Sequence, residues 1–136
     1  MLTKPKYGWT NIVIGNNVLP ASYLTDVPIN CLDSMILAYR NHNDFCVNFD
    51  AEGWTFKIIA DEYITYIIKE QNRSELIICE NINLNNLAKE LIYDIEANIN
   101  DWMYWVYRME EEEEVLKYKE LLLKKVDILK KIVNAR

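Results

Sequence analysis

Glycine and proline are scarce, three of each in 136 residues and all of them within the first 53. The rest of the chain has no strong breaker, so regular structure is expected to run through it with few interruptions. So little glycine leaves almost no material for phosphate-cradling loops. No GxGxxG, P-loop, HExxH or GxSxG string occurs, and no cofactor is expected. Histidine is rarer still. A Ser-His-Asp or Cys-His arrangement would have to use His42, which follows Asn41 at the expected end of a helix, where an imidazole does ordinary capping work. Three cysteines, Cys31, Cys46 and Cys79, stand far apart with no CxxC pair. That pattern suits reduced thiols in a cytoplasm and argues against a zinc site.

No apolar run approaches the ~20 residues needed to span a bilayer, and the opening MLTKPKYGWTNIVIG lacks a signal-peptide core. A cytoplasmic protein with no membrane partner is expected. Positive charge is also in deficit: 15 Lys and Arg face 21 Asp and Glu, a net charge of -6. A nucleic-acid binder needs a positive field to neutralise phosphates, so the favoured partner is neutral or basic.

What is present is the balance of an ordinary globular protein, 51% hydrophobic and 26% charged, at the length of one domain spanning residues 1–136. Asn, Ile and Lys supply 43 positions, a bias that points to an AT-rich bacterial genome.

Residues 7–14, rich in aromatic and β-branched side chains and ending at Gly15-Asn16-Asn17, read as a first strand. Residues 18–28 read as a loop. From Asn30, a candidate N-cap, Leu32, Met35, Ile36 and Tyr39 form one helical stripe. Four strand-like runs follow, at 45–49, 54–60, 62–70 and 75–80. Their connections are too short for parallel crossovers, so they predict an antiparallel meander. Phe45, Val47 and Phe49, then Trp54, Phe56, Ile58 and Ala60, alternate with polar residues and present one apolar face; the third run is apolar on both faces, as in a central strand.

The helical period returns at Asn83 and keeps its spacing from Leu84 through Ile95, Ile99, Trp102 and Val106. A last stripe of Val115, Tyr118, Leu122, Val126, Leu129 and Val133 predicts a final helix packed on the preceding one. A break near Arg108 to Glu111 is expected, with a single bent helix of about fifty residues as the alternative, too long for a domain ~30 Å across. The fold class is therefore α+β: an antiparallel sheet of four or five strands, one helix after the first strand, and two long C-terminal helices on one face.

Three clusters carry possible function. Asp50, Glu52, Asp61, Glu62 and Glu80 fall at strand ends. They read either as a solvated or partner-facing acidic rim or, if they converge, as ligands for Mg²⁺ in a metal-dependent enzyme. The local Glu52 to Lys57 spacing does not fit a metal-nuclease motif, and no metal ligand is assigned. Trp102 to Tyr107 is apolar all round a helical turn and a half, which fits burial on two sides or an exposed anchor; Trp54, Trp102 and Trp105 are the candidate anchors. The run Glu110 to Glu114 reads as the acidic first turn of a helix, with Glu113 and Lys117 paired at i, i+4. The Leu-rich last helix also offers a homodimer seam through Leu122 and Leu129.

The strings WTNIVIG (9–15), LPASYLTDVP (19–28) and FDAEGW (49–54), with Asp94, Ile95, Asn98, Trp102 and Trp105, resemble the small cytosolic immunity proteins encoded beside polymorphic or contact-dependent toxins of bacteria. The likeness spans residues 9 to 105 and carries over no functional residue. It implies a protein without catalysis that binds a cognate toxin domain. Many such toxins are basic, and an acidic partner gains association rate and specificity from complementary charge. The acidic excess sits in residues 44–109, which carry twelve acidic and five basic groups, whereas 110–136 carry seven of each.

Overall fold

Two antiparallel sheets and four helices make up the computed structural model, which describes residues 1–106 and 111–135. Strands β1 (Trp9–Ile14) and β2 (Asn17–Ser22) form a hairpin in which Ile12 faces Leu19 and Thr10 faces Ala21. At its turn only the first central residue, Gly15, has positive φ, +61°, the pattern of a type II′ turn. The expected loop at 18–28 is corrected in its first half. Leu2 bridges Ile12 on the other side of β1, so β2 is the outer strand, and an outer strand tolerates Pro20 because its missing N–H is not needed for pairing.

Helix α1 (Val27–Asn41) is capped four residues before the expected Asn30. Its cap is Asp26, whose carboxylate accepts from the Ile29 N–H at 3.3 Å. Pro28 in the first turn is no obstacle, since N–H groups there have no intrahelical acceptor. The helix ends at His42, which takes a left-handed conformation and donates its N–H to the Ala38 carbonyl. The cap is therefore made by the backbone of His42 and not by its imidazole, the group expected to do that work.

Strands β3 (Phe45–Asp50), β4 (Thr55–Ala60), β5 (Thr65–Gln71) and β6 (Ser74–Glu80) form the expected meander in sequence order. Phe45, Val47 and Phe49 lie on one face with Phe56, Ile58 and Ala60 and with Ile67 of β5, and all seven are buried. Phe49 stacks on Phe56 at 5.0 Å. The β5–β6 turn places Asn72 and Arg73 at φ of 51° and 65°, where asparagine is tolerated but a long side chain is strained by ~1 kcal/mol. Arg73→Gly is expected to stabilise the fold by about 0.5–1 kcal/mol, read as a higher urea midpoint at unchanged slope. A lower midpoint would mean that contacts of the arginine outweigh its backbone strain.

Helix α2 (Leu84–Ala97) begins where expected, with the Asn83 side chain accepting from the Asn86 N–H at 2.9 Å. It stops at Asn98 instead of running to Val106. The Asn98 amide donates to the Asp94 carbonyl at 3.2 Å and so takes the place of the next backbone donor. One turn, α3 (Ile99–Trp102), follows. Ile99 and Trp102 still pack on the core, so the apolar spacing continues across a break that it cannot reveal. The alternative of one bent helix is thereby overturned, while the break expected near Arg108 falls mainly on residues 107–110, outside the described residues.

Helix α4 (Glu112–Asn134) buries all six residues of its expected stripe and packs against both α1 and α2. Glu112, Glu113 and Glu114 occupy its first turn, and Lys117 reaches Glu113 at 3.3 Å. Two ion pairs tie α4 to its neighbours, Lys125–Asp33 at 2.5 Å and Lys130–Glu96 at 2.9 Å. Leu122 and Leu129 are fully buried in the chain's own core, so these two residues do not form the homodimer seam offered by the last helix. No helix among the described residues is long and apolar enough to cross a membrane.

Candidate protein-binding face

Alternation along a strand gives a sheet two faces, and here the two differ sharply. The inner face carries the buried residues above and joins one hydrophobic core with the hairpin and the three long helices. The outer face is open. The strand register sets three rows across it: Cys46, Ile59, Tyr66 and Cys79; then Asn48, Lys57, Ile68 and Ile77; then Asp50, Thr55, Glu70 and Glu75. None of these twelve is buried. Tyr66 is 38% and Ile77 59% exposed, and Ile59 and Ile68 are half-buried by their neighbours.

An apolar centre therefore runs across β4, β5 and β6, bordered at one end of the strands by Asp50, Glu70 and Glu75, with Glu52 in the adjoining turn. Lys57 is the one cation in the rows. Exposed apolar side chains contiguous over three strands, with a charged margin, have the anatomy of a protein-binding surface.

The five acidic residues singled out in the sequence do not converge. Asp50 and Glu52 lie at one end of the sheet; Asp61, Glu62 and Glu80 lie at the other, a strand length of roughly 17–20 Å away. Several carboxylates serve the backbone. Asp50 accepts from the Glu52 N–H at 2.7 Å, and Asp61 accepts from the N–H groups of Tyr63 and Ile64 at 2.7 and 2.8 Å. These are turn-forming contacts. Glu80 points to the inner side, where it accepts from the Asn17 amide at 2.5 Å and holds the hairpin turn. It is not part of the open face. Among the described residues no three His, Cys, Asp or Glu side chains are grouped to hold an ion.

The strand ends also form two clefts. The first, about 670 Å³, is lined by Tyr39, His42, Asp44, Asp61, Glu62 and Tyr63 together with the start of α2. There the Tyr39 hydroxyl donates to the Asn85 side-chain oxygen, and a hydrogen bond to Glu62 raises the pKa of the Tyr63 phenol. The second, about 460 Å³, joins Asp50 and Trp54 to Glu70, Arg73 and Glu75.

Of the three candidate anchors, Trp54 alone is accessible. It is half-buried on the inner side against Phe56, with ring centroids 5.5 Å apart, and its remaining surface lines the second cleft. Trp102 is completely buried and Trp105 nearly so, their rings 5.2 Å apart, and the Trp105 indole donates to the Thr25 carbonyl at 3.2 Å. Both are corrected from anchors to core residues. The thiol of Cys31 is likewise sealed in the core, and burial pushes its pKa up.

Sequence reasoning does not single out Tyr66, Ile68, Ile77, Glu70 or Glu75. Their signal is the third strand's apolar character on both faces, together with the ELIICE run. A strand of that kind reads as doubly covered until the position of the helices is known. No family model matches the chain, and neither a curated protein nor a solved structure matches it.

Proposed function

We propose that this chain is a non-catalytic binding protein, most concretely a cytoplasmic immunity protein that neutralises a cognate bacterial toxin domain, using the open face of the β3–β6 sheet. The observation that carries the reading is that face itself: an uncovered apolar centre of Ile59, Tyr66, Ile68 and Ile77 beside Asp50, Glu52, Glu70 and Glu75. Asp61 and Glu62 add negative charge at the far end. In such an arrangement the apolar centre supplies affinity, while the carboxylates steer a basic partner and reject acidic ones. Trp54 contributes an edge contact through the second cleft.

The test is capture from native cells at low salt with wild-type protein and with Tyr66→Ala, quantified by mass spectrometry. A basic protein domain is expected, its affinity reduced about tenfold by loss of the central aromatic. Glu70→Lys with Glu75→Lys is expected to slow association and flatten its salt dependence. Repeated capture of no specific protein, or a partner indifferent to both sets of changes, would sink the proposal.

A further inference from the structure

The two edges of the four-stranded sheet are treated differently. Along β3, helix α1 and strand β2 pack closely, and the strand carries Asn48 and Asp50. Strand β6 pairs with β5 alone, leaving its other row of backbone N–H and C=O groups without a strand partner among the described residues. Edge strands normally defend themselves with proline, lysine, a bulge or a charge in mid-strand. In β6 none of these occurs. The centre is Leu76-Ile77-Ile78-Cys79, with Leu76 and Ile77 56% and 59% exposed, and the only charges, Glu75 and Glu80, stand near its ends.

We propose that this edge pairs with the same edge of a second copy, antiparallel about a two-fold axis through Ile77, so that two four-stranded sheets become one of eight strands. The strand's own pattern fits a second copy as the occupant, and charge together with use of the whole strand sets the register. Centred on Ile77, the pairing sets Leu76 opposite Ile78, Glu75 opposite Cys79 and Ser74 opposite Glu80, so that no carboxylate meets another directly across the seam and the full strand is used. Centring it on Glu75 or Glu80 would oppose like charges, which destabilises a cross-strand pair. In the chosen register Leu76 and Ile78 extend the inner apolar face across the seam, and Ile77 meets its counterpart on the outer face. This goes beyond the toxin-binding reading and does not depend on it, because the dimer forms from purified protein with no other partner present.

The register gives a chemical test. Opposed residues in an antiparallel pair have Cα atoms ~4.5–5.5 Å apart, within disulfide range, whereas the two Cys79 residues would be offset by four positions, about 13 Å. Purified Glu75→Cys protein, mildly oxidised, is expected to form a covalent dimer between the introduced thiol of one copy and the native Cys79 of the other, located by peptide mapping, while wild type forms none. Light scattering of wild type is expected to give twice the 16.1 kDa of one chain. Ile77→Lys is expected to give the single-chain mass, and mixing it with Ile77→Glu should restore the doubled mass, which a merely misfolded variant could not do. A wild type that stays monomeric at high concentration overturns the proposal. So does a dimer that survives Ile77→Lys, or a cross-link mapping to any other pair of sites.

Discussion

Trp102→Ala is expected to lower the free energy of unfolding by about 3–5 kcal/mol, the largest single effect anticipated in this chain. The side chain is fully buried, lies 5.2 Å from the Trp105 ring, and belongs to the core shared by α2, α4 and the sheet. Truncation removes the transfer energy of an indole and leaves a cavity that surrounding helices, already packed on one another, can close only in part. Its Nε1–H meets no acceptor among the described residues. A buried donor without a partner costs about 1–3 kcal/mol, so Trp102→Phe, which deletes the donor and keeps most of the ring, is expected to recover much of the alanine loss. Urea midpoints at unchanged slope would measure both effects. An alanine variant of normal stability would return Trp102 to the surface and to the candidate binding anchors.

Asp26→Ala is expected to cost about 2–4 kcal/mol, because one carboxylate does two jobs. It caps α1 through Ile29 and accepts the hydroxyl of Tyr118 from α4 at 2.6 Å. Alanine leaves that buried hydroxyl without its acceptor and the first turn of α1 uncapped. Asp26→Asn keeps an acceptor oxygen and is expected to lose far less. Desolvation by burial is the leading influence on this carboxyl and raises its pKa above 3.8, outweighing the hydrogen bonds from Tyr118 and Ile29 that favour the charged form.

The direction sets the pH dependence. A carboxyl with a higher pKa in the folded state binds its proton more tightly there than in the unfolded chain. Its contribution is therefore complete below the unfolded value of 3.8 and is lost as pH rises through the folded value. The stability difference between wild type and Asp26→Asn should move in favour of wild type as pH falls through that window. Urea titrations of both proteins across it would show this, and a difference moving the other way would mean that the hydrogen bonds, and not burial, dominate at Asp26.

Much of the local structure was legible in the residues themselves. Three connections too short for any crossover made β3 to β6 an antiparallel meander, Asn83 marked the start of α2, and the spacing from Val115 to Val133 marked the buried side of α4. The misses have equally local causes. Pro20 reads as a loop residue unless it is known that β2 lies outermost, and Pro28 hid a helix start at Asp26 because proline serves both loops and first turns. The apolar period from Leu84 to Val106 ran through Asn98, where one side-chain hydrogen bond ends α2.

The candidate face was legible only in outline. The acidic character of residues 44–109 pointed to the meander, yet Tyr66 and Ile77 could not be told from core residues. Alternation separates the two faces of a strand without saying which one is covered, since that depends on contacts between residues far apart in sequence. Composition and periodicity determined by themselves an acidic α+β chain, the order of the four strands in its meander and the inward stripe of its last helix. The tertiary structure decided the rest. By seating α4 against α1 and α2 it sealed Trp102, Trp105, Leu122 and Leu129 inside, parted Asp50 from Asp61 by the length of a strand, and left one sheet face and the β6 edge uncovered among the described residues.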